Sequence, residues 1–185
     1  MKPFIVVQGP VATRSGYGNH TRDLVTSLIK ADKYDIQIVS LPWGSTPTDA
    51  LKMDNPEHVE IEKRIAGQNI TRQPDDFIQV SVPNEFKKAG KYNIGVTAGI
   101  ETTAVPHEFI KGANNMDLIV ATSEHSKNGF NVIYDKLDEK TQQKQGELKI
   151  DVPIEVLFEG ADLNVYKKTS DIHEIVKDEL SMIKD

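Results

Sequence analysis

Runs that stay apolar at consecutive positions alternate along this chain with runs whose apolar residues recur at helical spacing. Phe4-Ile5-Val6-Val7 and Leu118-Ile119-Val120 are of the first kind, the signature of strands covered on both faces. The pattern predicts strands over Phe4–Gln8, Asp35–Ser40, Phe77–Val82, Asn93–Thr97, Leu118–Thr122 and Ile154–Phe158. Between the first two, Leu24, Val25, Leu28 and Ile29 share one face of a helix over Tyr17–Ala31, with Arg22, Asp23 and Lys30 turned away. Glu57–Ala66 reads as a helix of weaker patterning, and Pro106–Asn115 places Phe109, Ile110 and Ala113 on one side. A further helix starts near Ser123 and carries Phe130 and Ile133. Asp138–Glu147 is polar, rich in Lys and Gln and without apolar period, so it predicts a solvated loop or a frayed helix.

Strands alternating with helices point to parallel βαβ units. The fold class is therefore α/β, a Rossmann-like three-layer sandwich with a mostly parallel sheet. Near the end, Ile175, Val176, Leu180 and Ile183 make an apolar stripe on a helix, and such a stripe must pack against something. The expected organisation is one domain over 1–168 followed by a helix over 169–185 that begins an interdomain linker. That stripe is also a candidate surface for pairing with another chain.

A length of 185 residues suits one well-cored domain, and 38% hydrophobic with 27% charged residues suits a soluble globular one. No apolar run approaches the ~20 residues of a membrane span, and the apolar stretch after Lys2 is too short for a signal-peptide core. The chain has no cysteine, which excludes disulfides and thiolate-held metals; a cytoplasmic protein is the simplest fit. A net charge of -6 without a Lys/Arg block argues against a nucleic-acid groove.

In an open parallel sheet, ligands bind beyond the carboxyl ends of the strands. After the first strand comes Gly9-Pro10-Val11-Ala12-Thr13-Arg14-Ser15-Gly16-Tyr17-Gly18-Asn19-His20-Thr21-Arg22. Glycines at the mouth of a helix let backbone N–H groups approach an anion or a sugar hydroxyl; a tight turn without ligand fits the same residues. Thr21 replaces the third glycine of a dinucleotide fingerprint, and no acidic residue ends the second strand, which disfavours an oxidoreductase. No Walker loop is present. The segment after the fourth strand supplies Glu101, Thr102 and His107, and that after the fifth supplies Ser123, Glu124 and His125. Glu101, His107, Glu124 and His125 are candidate acid/base or hydroxyl-binding groups. Each also has a structural reading: Ser123 as a helix N-cap, Glu124 in a favourable first turn, His107 as a surface residue beside Pro106. His107-Glu108 lacks a second histidine four residues after the first, and no Asp-x-Asp occurs, so no metal site is predicted.

The order of these segments resembles the N-terminal half of group 1 (family four-like) glycosyltransferases of the GT-B type. The likeness rests on Ser15 to Arg22, Leu41-Pro42-Trp43-Gly44, Asn93 to Thr103, Thr122 to Lys127, and Val156 to Asn164; it covers about Phe4 to Tyr166. The resemblance implies an acceptor-binding domain that faces a second, C-terminal domain across a cleft. That second domain would hold the nucleotide-sugar donor, and Asp185 falls where it should begin, so this half is expected to be nearly inactive alone. Catalysis in the family needs no metal or other cofactor. The resemblance implies that the loop around Gly16 and Gly18 lies beside donor diphosphate and acceptor, and that the loop after the fourth strand, where the family often has a histidine and this chain has Glu101 and Thr102 with His107 later, faces the transferred sugar. The site expected overall is substrate contact by Arg14, Gly16, Tyr17, Gly18, His20, Thr102, Ser123, Glu124 and His125, with Glu101 and His107 as catalytic candidates. Glu147 and Glu155 have the family's E-x7-E spacing but stand in the wrong domain. The acceptor class stays open, and the alternative is a non-catalytic Rossmann-like module binding a nucleotide, sugar or protein.

Overall fold

The computed structural model describes residues 2–67, 70, 72–100, 102–138, 141, 143–161, 163 and 166–168. The predicted tail helix over 169–185 and Glu101 lie outside the described residues.

Strand β1 (Phe4–Gly9) enters helix α1 (Gly16–Ala31), which returns to β2 (Asp35–Ser40). Helix α2 (Pro56–Glu62), β3 (Asp76–Val80), a short 3-10 turn (Pro83–Glu85), β4 (Tyr92–Thr97) and α3 (His107–Ala113) follow. The chain continues through β5 (Leu118–Ala121), α4 (Glu124–Asn128), the hairpin β6 (Tyr134–Leu137) and β7 (Lys144–Leu148), and β8 (Ile154–Val156). Six strands form one sheet in the order β2-β1-β3-β4-β5-β8, with parallel pairing at each step. This is an α/β, Rossmann-like sandwich. The strand order reverses direction between β1 and β3, which makes their shared carboxyl edge the topological switch point.

Alternation along the strands feeds two apolar layers. Ile5, Val7, Ile38, Ile78, Val80 and Val96 pack with Val25 of α1 and Ile61 of α2. On the other face Phe4, Val6, Val39 and Phe77 cluster together, and Ile119 packs with Ile110, Met116 and Phe130. Both faces are covered, which is why the sequence shows apolar runs rather than strict alternation.

Close backbone approach sets the position of α3. A Cβ on Gly112 would lie 1.8 Å from the Pro83 carbonyl oxygen, so only glycine lets this helix rest on the 3-10 turn. At the amino edge of the sheet, carboxylates hold the strand entries. Asp75 Oδ2 accepts the Phe4 amide at 2.9 Å. Asp117 Oδ2 accepts the backbone and side-chain N–H groups of Asn93 at 2.8 and 2.9 Å, and Asn93 Oδ1 in turn accepts the Ala89 and Gly90 amides.

The observed elements differ from the sequence expectation in three places. Within the stretch Asp138–Glu147, the residues from Lys144 onward form a strand, not a loop or a frayed helix. Lys144–Leu148 pairs antiparallel with Tyr134–Leu137. The ribbon escaped detection because it is solvated on nearly all sides; Leu148 is its one buried large side chain. Asp138 braces the turn by accepting from Thr141 and Gln145. The helix begun at Ser123 ends at Asn128, so it does not carry Phe130, which is buried beyond it, or Ile133, which is 61% exposed. The helix predicted over Glu57–Ala66 stops at Glu62, and Ile65 instead bridges to Ile38 beside β2.

Two outcomes are expected. Gly112→Ala should lower stability by at least about 2 kcal/mol, because overpacking against backbone cannot relax through a side chain; urea unfolding measures it. Asp75 and Asp117 titrate below the usual carboxylate range, the first chiefly through its bond with Lys91 and the second through those with Asn93. Their depressed values make the contribution full above ~pH 4 and progressively lost below it. Asp117→Asn should therefore flatten the stability profile between about pH 4 and pH 2, read as the change in Tm with pH.

Candidate functional site

The loop from β1 into α1 is built from its own polar groups. Val11 N–H reaches Gly9 O, and Thr13 N–H reaches Pro10 O, each at 2.9 Å. The Arg22 guanidinium, one turn and a half into the helix, donates to the carbonyls of Val11 at 2.7 Å and Thr13 at 2.9 Å, and also to Asn19 Oδ1. Burial of that guanidinium pulls its pKa below the usual arginine value. Ser15 is the N-cap, accepting the Gly18 amide at 3.0 Å.

The two glycines of the loop differ. A Cβ on Gly18 would meet Thr13 O at 2.4 Å and Pro10 O at 3.0 Å, so this residue is glycine for packing, and its N–H is committed to the cap. A Cβ on Gly16 would meet nothing within 4 Å. Gly16 therefore leaves open space rather than filling a contact. Thr21, standing where a dinucleotide fingerprint has glycine, bonds to Tyr17 O at 2.6 Å and packs against Gly9.

Tyr17 links this loop to the rest of the carboxyl edge. Its ring stacks on Trp43, with centroids 4.4 Å apart. Its hydroxyl lies 3.1 Å from Thr97 Oγ1 and accepts the Ala98 amide at 3.2 Å. Beside it opens a cavity of about 230 Å³ whose lining includes Gly16, Tyr17, His20, Val80, Thr97 and Glu159. These residues come from the ends of β3 and β4, the start of α1 and the exit of β8, around the switch point. His20 Nδ1 is 2.6 Å from Glu159 Oε1, and the His20 side chain is only 15% exposed. Asp23, one turn along α1, has its pKa raised by burial, a shift opposed by Arg22 and His20.

An adjoining cleft of about 680 Å³ shares Tyr17 and Ala98 with the first and gathers Thr102, Ser123, His125 and Ser126. Gly99, at φ +77°, turns the backbone there and rests on Ser126. Ser126 Oγ donates to Ala98 O at 2.5 Å. Ser123 caps α4 through the Ser126 amide at 3.0 Å, while Thr102 Oγ1 donates to Ala104 O.

Gly16, Tyr17 and His20 are thus brought together, with Thr102, Ser123 and His125 next door. Gly18 supports the loop from beneath. Arg14 points away, paired with Asp49 at 2.7 Å, and Glu124 is exposed on the first turn of α4 and lines neither space. His107 lines a different cleft, of about 830 Å³, formed with Lys111 and the β6–β7 hairpin; it contacts Glu108 and the edge of Tyr134. The sequence reading did not single out Thr97 or Glu159 as site residues. Both follow the rule that strand carboxyl ends build the site: Thr97 ends β4, and Glu159 comes three residues after β8. Among the described residues, no three His, Asp or Glu side chains gather as metal ligands, and no helix is long and apolar enough to cross a membrane.

The glycines make a test by contrast. Gly18→Ala should cost about 2 kcal/mol or more through contact with backbone oxygens, whereas Gly16→Ala should be neutral or stabilising by up to about 1 kcal/mol. Thermal unfolding of both variants measures the difference; equal losses would contradict the assignment of separate roles.

No protein-family model matches the chain, and no curated protein or solved structure matches it either.

Proposed function

We propose that this chain is the acceptor-side domain of a metal-independent glycosyltransferase that works with a second, donor-binding domain. The observation that carries this reading is the cavity at the β1/β3 switch point, with Gly16 left open at the mouth of α1. A helix start that presents backbone N–H groups beside empty space suits the approach of a diphosphate or sugar oxygen. The amides of Gly16 and Tyr17 make no hydrogen bond within the described residues. The acceptor takes the cavity lined by Tyr17 and His20, and the donor reaches it across the adjoining cleft around Gly99, Thr102 and Ser123.

The segment after β8 supports a two-domain arrangement. Leu157, Phe158, Leu163 and Tyr166 are 59%, 69%, 76% and 72% exposed, and the first two directly precede Glu159 in the chain. Apolar side chains left bare in such number mark a surface that a partner covers. His107 has no part in this chemistry, since it shares no cavity with the glycine loop. The order of motifs from Ser15 to Asn164 agrees with the same reading.

The test is sugar transfer from a panel of nucleotide sugars after the chain is joined to the donor-binding domain of a group 1 glycosyltransferase. The proposal expects transfer, and expects Gly16→Val to cut it at least ~100-fold, about 2.7 kcal/mol of transition-state stabilisation, with Tm kept within a few degrees. Absence of transfer from every donor would refute the function. Transfer undiminished in Gly16→Val would remove the loop from the site.

A further inference from the structure

We propose that the outer edge of β8 pairs antiparallel with the same edge of a second copy of this chain, joining the two sheets into one continuous sheet. The inference goes beyond the functional reading above and does not depend on it.

The two flanking strands of the sheet are finished differently. On the outer side of β2, Ile38 donates its amide to Arg64 O at 2.8 Å and its carbonyl accepts the Ala66 amide at 3.2 Å, so residues 64–66 cap that strand. β8 has no such cover. Pro153 O accepts the Ile119 amide at 3.0 Å, and the Leu157 amide donates to Ala121 O at 2.9 Å. The odd-numbered residues therefore turn their backbone groups towards β5, and alternation turns those of Ile154 and Val156 outward. Among the described residues nothing bonds to these outward groups. A bare edge of this kind is a template for another strand, and sheets commonly blunt it with lysine or proline. Ile154–Phe158 contains neither, and it runs into Leu157 and Phe158, both exposed.

Closure and register select a second copy as the occupant. Only one flank of the sheet is open, so pairing of β8 with itself is a twofold contact that stops at the dimer. The twofold axis stands perpendicular to the sheet, which keeps each face on its own side and allows only registers two residues apart. Centring the axis on Glu155 sets that carboxylate opposite its own copy, and like charges facing across a pair repel. Centring it on Ile154 lays Val156 against Val152, outside β8. Centring it on Val156 sets Val156 opposite Val156 of the second copy, Ile154 opposite Phe158, and Glu155 opposite Leu157. This register meets the outward backbone groups, faces no like charges, and covers two bare apolar side chains. Leu163 and Tyr166 stay outside it, free for the donor-binding domain of the functional reading.

The experiment uses the full 185-residue chain. Sedimentation velocity between ~5 and ~500 μM, a range that reaches small and weak interfaces, should show a monomer passing to a dimer and nothing larger. Val156→Pro deletes an amide that faces away from β5, a position where a strand tolerates proline. It should raise the dimer dissociation constant at least ~10-fold and leave Tm within a few degrees. The chain has no cysteine, so one introduced thiol reads the register without background. In the proposed pairing the two Val156 Cα atoms stand about 5.5 Å apart, inside the ~4.4–6.8 Å span of a disulfide. The two Glu155 residues are diagonal neighbours at about 7–8 Å. With oxidised glutathione, Val156→Cys should therefore link into a covalent dimer at least ~10-fold faster than Glu155→Cys.

A monomer at every concentration would overturn the proposal, and would leave the edge to a strand from a different protein. Assemblies that grow past the dimer, a dimer untouched by Val156→Pro, or equal or reversed linking rates would overturn it as well. The two cysteine variants decide the matter if Val156→Pro does not fold. No readout involves a sugar, so self-association and sugar transfer succeed or fail separately.

Discussion

The side chain of Tyr17 ties the start of α1 to two other stretches of chain. Its hydroxyl meets the end of β4 through Thr97 and Ala98, while its ring lies against Trp43 from the loop after β2. Each hydrogen bond adds about 1 kcal/mol, and the stack adds roughly 0.5–1.5 kcal/mol. Those are modest terms for the stability of the whole, but they fix where α1 begins relative to the sheet. Gly16 and His20 lie on that same first turn and the next, so the shape of the cavity follows from where Tyr17 is anchored. Beneath it, Arg22 and the buried Gly18 hold the loop that delivers the helix.

The two edges of the sheet are built for different ends. At the amino edge, Asp75 and Asp117 accept backbone amides directly. At the carboxyl edge, Gly16 faces open space, Gly99 turns through the left-handed region, and His20 keeps one ring nitrogen unengaged. Groups without internal partners at the switch point of a parallel sheet are where ligand chemistry is placed in this architecture.

Much of the fold was legible from apolar periodicity. The doubly covered strands announced themselves because Phe4 to Val7 and Leu118 to Val120 must satisfy both faces at once. Two elements were not legible, for physical reasons. The β6–β7 ribbon buries only Leu148 strongly, so it left no alternation to find. Phe130 looked like part of a helix, yet it reaches the core from a turn after Asn128. The site was legible by position more than by residue. Gly16 and Gly18 look equivalent in the string, and only three-dimensional contact separates the open glycine from the packed one. Glu159 meets His20 across 139 residues of chain, a pairing that no local spacing encodes. His107 stood close in sequence to the loop after β4, but α3 carries it to the hairpin side.

The central claim is that the switch-point cavity, and not the larger cleft beside the hairpin, is where this protein meets its ligand. The most direct test is an unbiased fragment screen on the labelled chain, following every backbone amide, with alcohols, sugars, nucleotide sugars and organic anions all represented. The account predicts that shifts from the strongest binders converge on Gly16, Tyr17, His20, Thr97 and Ala98. Convergence instead on His107, Lys111 and the β6–β7 hairpin would contradict it.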